Sequence, residues 1–443
     1  MGKVHITTFG CQMNEYDSAR ILDILTGLGY RAAAGREEAD LLIFNTCSVR
    51  AKAQNKLYSF LGQLRDYKKT HPQVRIAVTG CLAQQEGRRM LKALPQVDLV
   101  LGPDALPDLP RLLPLVLEGR RMAEVKLEGQ ADLPLSGRRA SLVSQVTVMR
   151  GCDNFCSYCV VPYVRGREKS RPAGAIADEV EALTAGGARE VHLLGQNVNS
   201  YRDEEGVDFP RLLTLLARIP DLLRIRFTTS HPKDLSPALM ETLASEPKVM
   251  KGLHLPVQAG SDRILAAMKR GYTRTRYLDL VRRLRETVPE ISLSGDIIVG
   301  FPGEKEEDFR QTMSLLDEVG YDFLFSFQYS DRPLTPAGVL PGKVSEEEKR
   351  RRLLVLQARQ REISLTRHQA LLGRVAEVLV EGPAKKGHGW LRGREAGGRT
   401  VNFAGPPGLR GRLIKVKLES ATVNSLRAVR LTPLETIAAK DLG

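Results

Sequence analysis

The stretch "MRGCDNFCSYCVVPYVRGREKSR", residues 149–171, is the most informative about the fold, because its three closely spaced cysteines indicate a metal site in the central part of the chain. Cys152, Cys156 and Cys159 share one short loop whose spacing can hold three irons of a [4Fe–4S] cluster. The fourth iron has no cysteine, since none follows Cys159 in the chain. The spacing therefore predicts a cluster with one open iron that accepts a small molecule, much as a catalytic zinc keeps an open position. We call these three cysteines the second triad.

Two other uses of the second triad stay open on spacing alone. A zinc site of three cysteines and one histidine would need a nearby imidazole, but the next histidine, His192, lies 33 residues beyond Cys159. Disulfide pairing is disfavoured, because six cysteines in 443 residues do not make the dense scaffold of a small secreted domain.

The residues around the second triad predict a partial barrel of parallel strands. Six apolar strand candidates alternate with amphipathic helix candidates over residues 138–368. The strand candidates are "SQVTVMRGC", "EVHLLGQNVN", "RIRFTTSHP", "GLHLPVQAGS", "ISLSGDIIVGF" and "FLFSFQYS". Since eight units are needed to close a (β/α) barrel, the expected class is α/β with a partial (β/α)6 barrel at its centre.

Polar residues follow these strand candidates at their carboxyl ends, where barrels of this kind bind ligands. We call them the polar rim: Gln196, Asn197, Asn199, Ser230, His231, Gln258 and Ser261. Each one alone is more often a satisfied loop residue, but their convergence on one edge predicts a pocket. Four of them are candidate cofactor ligands: Gln196, Asn197, Ser230 and Gln258.

Residues 1–118 carry three more cysteines, each at the end of a strand candidate. Cys11, Cys47 and Cys81 follow "VHITTFG", "DLLIFNT" and "RIAVTG", and helix-like stretches separate the strands. This alternation predicts a parallel sheet with helices on its faces, whose strands present their carboxyl ends along one edge. We therefore expect these cysteines, the first triad, to be neighbours; three unrelated buried cysteines are the alternative.

The end of the chain predicts a long helix followed by a small barrel. "SEEEKRRRLLVLQARQREISLTRHQALLG" reads as an amphipathic helix with a capping box made by Ser345 and Glu348. Five short strand candidates over residues 371–434 then predict an OB-like β-barrel.

This last segment is also strongly basic. Twelve Lys and Arg face four Asp and Glu between residues 371 and 430. The composition predicts a surface that contacts RNA phosphates and stacks bases on Trp390 and Phe403, although a solubilising barrel with incidental charge is the alternative. The candidate RNA-binding residues are Arg392, Arg394, Lys415 and Lys417.

Length and charge agree with this organisation. A chain of 443 residues suggests two or three domains, and a net charge of +14 favours a polyanionic partner. No apolar run is long enough to span a bilayer, and "MGKVHITTFG" lacks the apolar core of a secretion signal. We therefore expect a cytoplasmic protein with no membrane partner.

The quoted motifs resemble those of a known family. CxxxCxxC after the first strand of a partial barrel resembles the radical S-adenosylmethionine enzymes, and "LLGQNVN" and "GDIIVGFPGE" are similar to their cofactor-cradling segments. Over nearly the whole chain, "TFGCQMNEYDS", "NTCSVR", "GCDNFCSYCVVPYVRGREKSR" and "HLPVQAGSDRILAAMKRGYTR" resemble the methylthiotransferase family. Within that family they are most similar to the tRNA-2-methylthio-N6-dimethylallyladenosine synthases.

The resemblance implies a division of labour among three domains. Residues 1–118 would carry an auxiliary [4Fe–4S] cluster on the first triad, residues 138–368 would form the radical core with the second cluster, and residues 371–434 would be a TRAM domain that binds RNA. S-adenosylmethionine would chelate the open iron of the second triad and be cleaved to a radical by an electron from an external donor. The implied product is a methylthio group at C2 of N6-isopentenyladenosine beside the tRNA anticodon. The residue that handles the C2 hydrogen and the ultimate sulfur source are not identified by sequence.

Other functions remain open at this level. Two other branches of the family modify threonylcarbamoyl adenosine in tRNA and an aspartate of a ribosomal protein, and the second is disfavoured by "GCQMN" around Cys11. A non-enzymatic iron–sulfur protein that binds RNA is a different class. It is disfavoured because an electron carrier gains nothing from two incomplete ligand sets.

Overall fold

The chain forms three successive sets of strands in the computed structural model, which describes residues 2–48, 51–127 and 140–431, without the side chains of residues 51 and 52. The predicted domain limits at residues 1, 138 and 434 lie outside the described residues. Among the helices that are described, none combines the length and the apolar character needed to cross a bilayer.

The first set is a six-stranded parallel sheet in the order β2-β1-β3-β4-β5-β6. Its strands are β1 (Lys3–Phe9), β2 (Arg31–Ala32), β3 (Leu41–Thr46), β4 (Arg75–Thr79), β5 (Leu99–Leu101) and β6 (Met122–Glu124). Every residue of β3 is buried, as expected for a central strand covered on both faces. The predicted sheet is confirmed, and the three strands that precede the first triad, β1, β3 and β4, lie side by side.

Helices cover both faces of this sheet. They are α1 (Gln12–Gly27), α2 (Ala51–Thr70), α3 (Cys81–Glu86), α4 (Arg88–Ala93) and α5 (Leu109–Leu117). Leu57 and Leu61 of α2 pack in one apolar cluster, while Ile21 of α1 and Leu112 of α5 pack in the other. The helical stretch after Cys81 is divided into α3 and α4 at Gly87, where φ is +49°.

The second set is the partial barrel. Its strands are β7 (Val143–Thr147), β8 (Met149–Arg150), β9 (Lys169–Ser170), β10 (Glu190–Leu194), β11 (Arg224–Phe227), β12 (Gly252–His254), β13 (Ser292–Val299) and β14 (Phe323–Gln328). Two parallel sheets, β7-β10-β11 and β12-β13-β14, are joined by a bridge between Ile225 and Val249. All six predicted strands are present, while β8 and β9 form a separate antiparallel pair.

The helices of the barrel pack outside its strands around one apolar core, except α6 (Val161–Arg165), whose Val164 packs against Cys81 of the first sheet domain. The others are α7 (Ala173–Ala185), α8 (Phe209–Ala217), α9 (Pro237–Ser245), α10 (Asp262–Ala267), α11 (Arg274–Thr287) and α12 (Glu306–Val319). α11 is arginine-rich and buries mainly Tyr277, Val281 and Leu284.

The long helix predicted after the barrel is α13 (Glu346–Gln369). Its amino end is capped as predicted, because the Ser345 hydroxyl accepts a hydrogen bond from the Glu348 backbone N–H at 3.2 Å. Its buried face is more polar than an amphipathic helix would have: Gln360 and Ser364 donate to backbone carbonyls at 2.8 and 2.9 Å. The helix is thus attached to the barrel by hydrogen bonds as well as by apolar contacts.

The third set is a closed five-stranded barrel in the order β15-β16-β17-β19-β18. Its strands are β15 (Val375–Pro383), β16 (Trp390–Glu395), β17 (Thr400–Ala404), β18 (Leu413–Ala421) and β19 (Leu426–Arg430). The predicted small β-barrel is confirmed. The prediction that Phe403 stacks bases is wrong, because Phe403 is 0% exposed and fills the barrel core.

The small barrel packs against one end of the partial barrel. Arg224, the first residue of β11, donates to the backbone carbonyls of Glu377, at 2.8 Å, and of Arg394. The Lys251 N–H donates to the carbonyl of Ala396 at 2.8 Å. These contacts lie at the amino ends of the barrel strands, so the small barrel closes the end opposite the polar rim.

Candidate active site

The loop of the second triad is held at both of its ends. β8 and β9 pair antiparallel on either side of it, with Met149 opposite Ser170. Gly151, at φ +76°, donates its N–H to Gln196 Oε1 at 2.6 Å. A Cβ atom at Gly151 would stand 1.9 Å from the carbonyl oxygen of Arg167, so only glycine allows the loop to close this tightly.

The thiols of the second triad lie in a largely buried environment. Burial raises the pKa of Cys152 to about 11 and that of Cys159 to about 12. Thiols in such surroundings become good ligands when a metal stabilises the thiolate, and metal binding then releases their protons. The donor set of three cysteines within one loop fits an iron–sulfur cluster.

Two nitrogen donors face the sulfur atoms of the second triad. Asn154 Nδ2 lies 3.4 Å from Cys152 Sγ, and Arg270 Nη1 lies 3.4 Å from Cys156 Sγ. Arg270 is buried and also donates to the Tyr272 hydroxyl at 2.8 Å and to the Pro256 carbonyl at 2.6 Å. Its positive charge therefore lies beside the second triad.

The sheet brings the first triad together as predicted. Cys11 precedes α1, Cys47 follows β3, and Cys81 begins α3. A hydrogen bond from Cys47 lowers the pKa of Cys11 to about 6. The backbone approaches closely here too, since a Cβ atom at Gly10 would lie 2.6 Å from Cys47 Cβ.

Two buried asparagines form hydrogen bonds beside the first triad. Asn14 Nδ2 donates to Asn45 Oδ1, and Asn45 Nδ2 donates to the Asn14 carbonyl, both at 2.8 Å. Asn14 Oδ1 in turn lies 3.3 Å from Cys11 Sγ. Both asparagines stand within motifs of the first triad, "GCQMN" and "FNTC", but sequence spacing gives no signal that they pair.

The first triad contacts the segment that directly follows the second triad. Cys81 packs against Val160 and Val164, which directly follow the second triad in sequence. Arg165 Nε donates to Cys81 Sγ at 3.2 Å. Within the described residues, no three His, Cys, Asp or Glu side chains converge on a single point as a mononuclear metal site requires. A cubane cluster needs only one thiolate at each iron.

The polar rim divides into two groups. Five of its residues have a buried polar atom with no hydrogen-bond partner among the described residues: Gln196 Nε2, Asn197 Oδ1, Ser230 Oγ, His231 Nε2 and Gln258 Oε1. Buried polar atoms are normally paired, so these atoms fit a polar ligand. All four candidate cofactor ligands belong to this group, together with His231.

The other two rim residues are structural. Asn199 exchanges hydrogen bonds with the backbone of His231 at 2.8 and 2.9 Å, and Ser261 donates to Asp308 at 2.6 Å. Burial, with the positive charges of Arg270 and Lys233, lowers the pKa of His231 to about 2. Its Nδ1 accepts from the Lys233 N–H at 3.2 Å, so the neutral ring carries its proton on Nε2.

Three residues at the site escape sequence reasoning. Glu168 connects the cysteine loop to the rim: its Oε1 accepts from the Asp153 N–H and from Asn197 Nδ2, both at 3.3 Å. Arg165 and Arg270 face sulfur atoms of different triads. Arginine and glutamate in "VRGREKSR" and "MKRGYTR" look like ordinary surface residues, so only the tertiary structure identifies them.

The candidate RNA-binding residues lie on the small barrel, away from the rim. Arg394 Nε is 2.9 Å from Glu381, and Arg392 Nε is 3.8 Å from the same carboxylate. Lys417 is exposed on β18 and Lys415 is half-buried. Trp390 is half-buried, with the Arg427 guanidinium 5.5 Å from its ring centre. These residues stay predicted RNA contacts.

Comparison with protein families matches two parts of the chain. Residues 3–102 match the uncharacterized protein family UPF0004, and residues 146–316 match the radical SAM superfamily. The first match contains the first triad and the second contains the second triad.

Two relatives match almost the whole chain. The tRNA-2-methylthio-N(6)-dimethylallyladenosine synthase of Syntrophobacter fumaroxidans is 48% identical over 436 residues, which cover 97% of this chain and 96% of the relative. The protein of the same name from Geobacter metallireducens is 49% identical over 429 residues, covering 96% and 97%.

A solved structure shares the fold at much lower identity. The radical S-adenosylmethionine methyltransferase TsrM from Kitasatospora setae matches with a TM-score of 0.58 and 18% identity. The match covers 76% of this chain and 75% of that protein.

Proposed function

The chain belongs to the family of tRNA-2-methylthio-N(6)-dimethylallyladenosine synthases, and from that premise we propose that it adds a methylthio group to C2 of N6-isopentenyladenosine in tRNA. The modified adenosine stands beside the anticodon. The reaction follows radical S-adenosylmethionine chemistry, in keeping with the superfamily of residues 146–316.

In this proposal each triad holds one [4Fe–4S] cluster. The three thiolates bind three of its irons and leave the fourth iron open. When bound, the cluster of the second triad would supply, with one S-adenosylmethionine, a radical that takes the C2 hydrogen. The cluster of the first triad would supply the sulfur that replaces this hydrogen, and a second S-adenosylmethionine would supply the methyl group on that sulfur. The protein orients the cofactor through the unpaired amide, hydroxyl and imidazole groups of the polar rim. Burial of these groups keeps water from competing with them.

The observation that carries the proposal is the contact of the first triad with the segment that follows the second triad. Cys81 packs against Val160 and Val164 and accepts from Arg165, all within six residues after Cys159. An aromatic C–H bond needs a radical on one side and sulfur close by, and two adjacent sites can apply both to one base.

The proposal is tested with the full chain, loaded with iron and sulfide under anaerobic conditions. With dithionite and S-adenosylmethionine we expect 5′-deoxyadenosine, and with isopentenylated tRNA we expect its methylthio derivative among the digested nucleosides. tRNA without the isopentenyl group is the matched control and should stay unmodified. Absence of cofactor cleavage would reject the enzyme class. Cleavage with transfer only to tRNA bearing threonylcarbamoyl adenosine would reject the substrate.

A further inference from the structure

Arg165 joins the two bodies that carry the triads. It ends α6, six residues after Cys159, yet its Nε donates to Cys81 Sγ at the start of α3. Its Nη2 donates to Asp17 Oδ2 at 2.6 Å, and Asp17 lies on α1, six residues after Cys11. One guanidinium thus contacts two helices that flank the first sheet, although Arg165 itself belongs to the partial barrel.

This contact is buried and built from charged groups. The side chains of Arg165 and Asp17 are 5% and 9% exposed. A buried ion pair costs desolvation energy that its own attraction often fails to recover, so stability alone is a weak explanation for this pair. The Nε donor is directed at a sulfur atom, whereas the second terminal nitrogen engages the carboxylate.

We propose that Arg165 is a positioning residue that fixes the Cys81 sulfur and raises the reduction potential of the cluster bound to the first triad, and that Asp17 limits this rise. The inference rests on the proposed function, since it requires a cluster at Cys11, Cys47 and Cys81. Hydrogen bonds to cluster sulfur atoms and nearby positive charge both favour the reduced state. The neighbouring carboxylate partly cancels the positive charge.

The two partners therefore have opposite effects. Arg165→Gln removes the charge and should shift the midpoint potential of this cluster to more negative values. Asp17→Asn keeps the guanidinium but removes the compensating anion, so it should shift the potential to more positive values. A purely structural role for the pair would give shifts of the same sign, or none.

Arg167 offers a matched control on the same segment. Its side chain is 70% exposed and lies 3.4 Å from Asp153 rather than from a sulfur atom. Arg167→Gln removes an identical charge two residues away, and water should screen its effect on the first triad. We expect no shift of the potential in this variant.

The measurement is an EPR-monitored redox titration of the full chain in which Cys152, Cys156 and Cys159 are replaced by alanine, so that only the first triad binds a cluster. Opposite shifts in Arg165→Gln and Asp17→Asn, with no shift in Arg167→Gln, support the inference. Unchanged potentials in both of the first two variants overturn it. If Arg165→Gln does not fold, the nearly isosteric Asp17→Asn variant decides alone.

A different result would reject the underlying function. If the alanine-substituted chain binds no iron–sulfur cluster although it is folded, then the first triad is not a cluster site, and the role of Arg165 fails with it. If the cluster forms and its potential ignores both substitutions, only the role of Arg165 fails.

Discussion

At Gly151, a single hydrogen atom in place of a side chain allows the loop of the second triad to close. Any Cβ atom at this position would overlap the Arg167 carbonyl, and the backbone has a φ of +76°. We expect Gly151→Ala to destabilise the fold by about 1–3 kcal/mol and to reduce iron bound at the second triad. Denaturant unfolding and iron content per chain measure the two effects.

Gly62, on the exposed side of α2, is the matched control for that substitution. Nothing lies within 4 Å of a Cβ atom built there. Gly62→Ala should stabilise the chain by about 0.5–1 kcal/mol, because alanine loses less conformational freedom in a helix. Equal iron content in Gly151→Ala and Gly62→Ala would refute the role given to Gly151.

Single cysteine substitutions should separate the two triads. Cys152→Ala should abolish cleavage of S-adenosylmethionine and leave roughly half of the iron, because the first triad keeps its own ligands. Cys47→Ala should retain cleavage but transfer no sulfur. 5′-Deoxyadenosine, iron and modified nucleosides are measured on the same preparations, and full methylthiolation by Cys47→Ala would overturn the role of the first triad.

The sequence predicts ligands at this scale better than it predicts their partners. The second triad can be predicted because its cysteines lie close together in one loop. The first triad can be predicted because each of its cysteines follows a strand of the same predicted parallel sheet. Arg165 and Arg270 contact sulfur atoms 84 and 114 residues away in sequence, and no periodicity encodes such a contact.

At the scale of elements, a buried ion pair ties the small barrel to the residue that precedes β14. Arg399 Nη2 lies 2.6 Å from Asp322 Oδ1, and their side chains are 4% and 0% exposed. We expect Asp322→Asn to cost about 3 kcal/mol of unfolding free energy, since it leaves a buried cation short of one partner. The exposed pair of Asp279 and Arg282 on α11 is the control, and Asp279→Asn should change stability by less than about 1 kcal/mol. Equal losses in the two variants would contradict this.

The same carboxylate predicts a pH dependence. Burial alone would raise the pKa of Asp322, but attraction by Arg399 and Arg367 outweighs burial and holds the pKa below its usual value. Stability from such a group is complete above the unfolded pKa of about 3.9 and is lost as the pH falls through the folded value. Below about pH 4, the wild type should therefore lose stability more steeply than Asp322→Asn, as urea titrations at several pH values will measure.

Sequence patterns identify the existence of elements more readily than the polar residues that those elements bury. The six barrel strands and five small-barrel strands carry strong apolar signals, and all are present. α13 is predicted as amphipathic, yet it buries Lys349, Arg352 and His368. These side chains can be buried because they find polar partners in the folded chain. Short strands such as β2 and β6 carry too few residues to form a pattern.

For the whole molecule, the positive charge of the small barrel should set the salt dependence of tRNA binding. Removing residues 371–443 would be a poor test, because the small barrel covers the amino ends of the core strands. We expect Lys415→Ala combined with Lys417→Ala to reduce the slope of log K against log salt by up to about 1.5, if each lysine contacts one phosphate. Arg282→Ala on α11 is the control and should leave the slope unchanged. An unchanged slope in the double variant would exclude both lysines from the RNA contact.

The order of the three parts could be predicted from the sequence, but their docking could not. Cysteine placement, strand spacing and local charge each belong to one segment. Some contacts that join the segments use backbone carbonyls, such as those of Glu377 and Ala396, which any residue possesses. Others pair side chains far apart in the chain, such as Arg165 with Asp17, 148 residues away. A sequence therefore carries no specific signal for them.

The floor of the partial barrel is completed by residues made long after it. Arg224 leaves the ribosome 153 residues before Glu377 and 170 residues before Arg394. At common rates of synthesis this interval lasts roughly 10–30 s. Throughout that time the nascent chain presents an open lower end and a charged side chain without its acceptors. Chaperones and proteases would therefore encounter the protein while its partial barrel is incomplete. Substitutions at the docking contacts should lower the yield of protein in cells more than they lower the activity of the protein that folds.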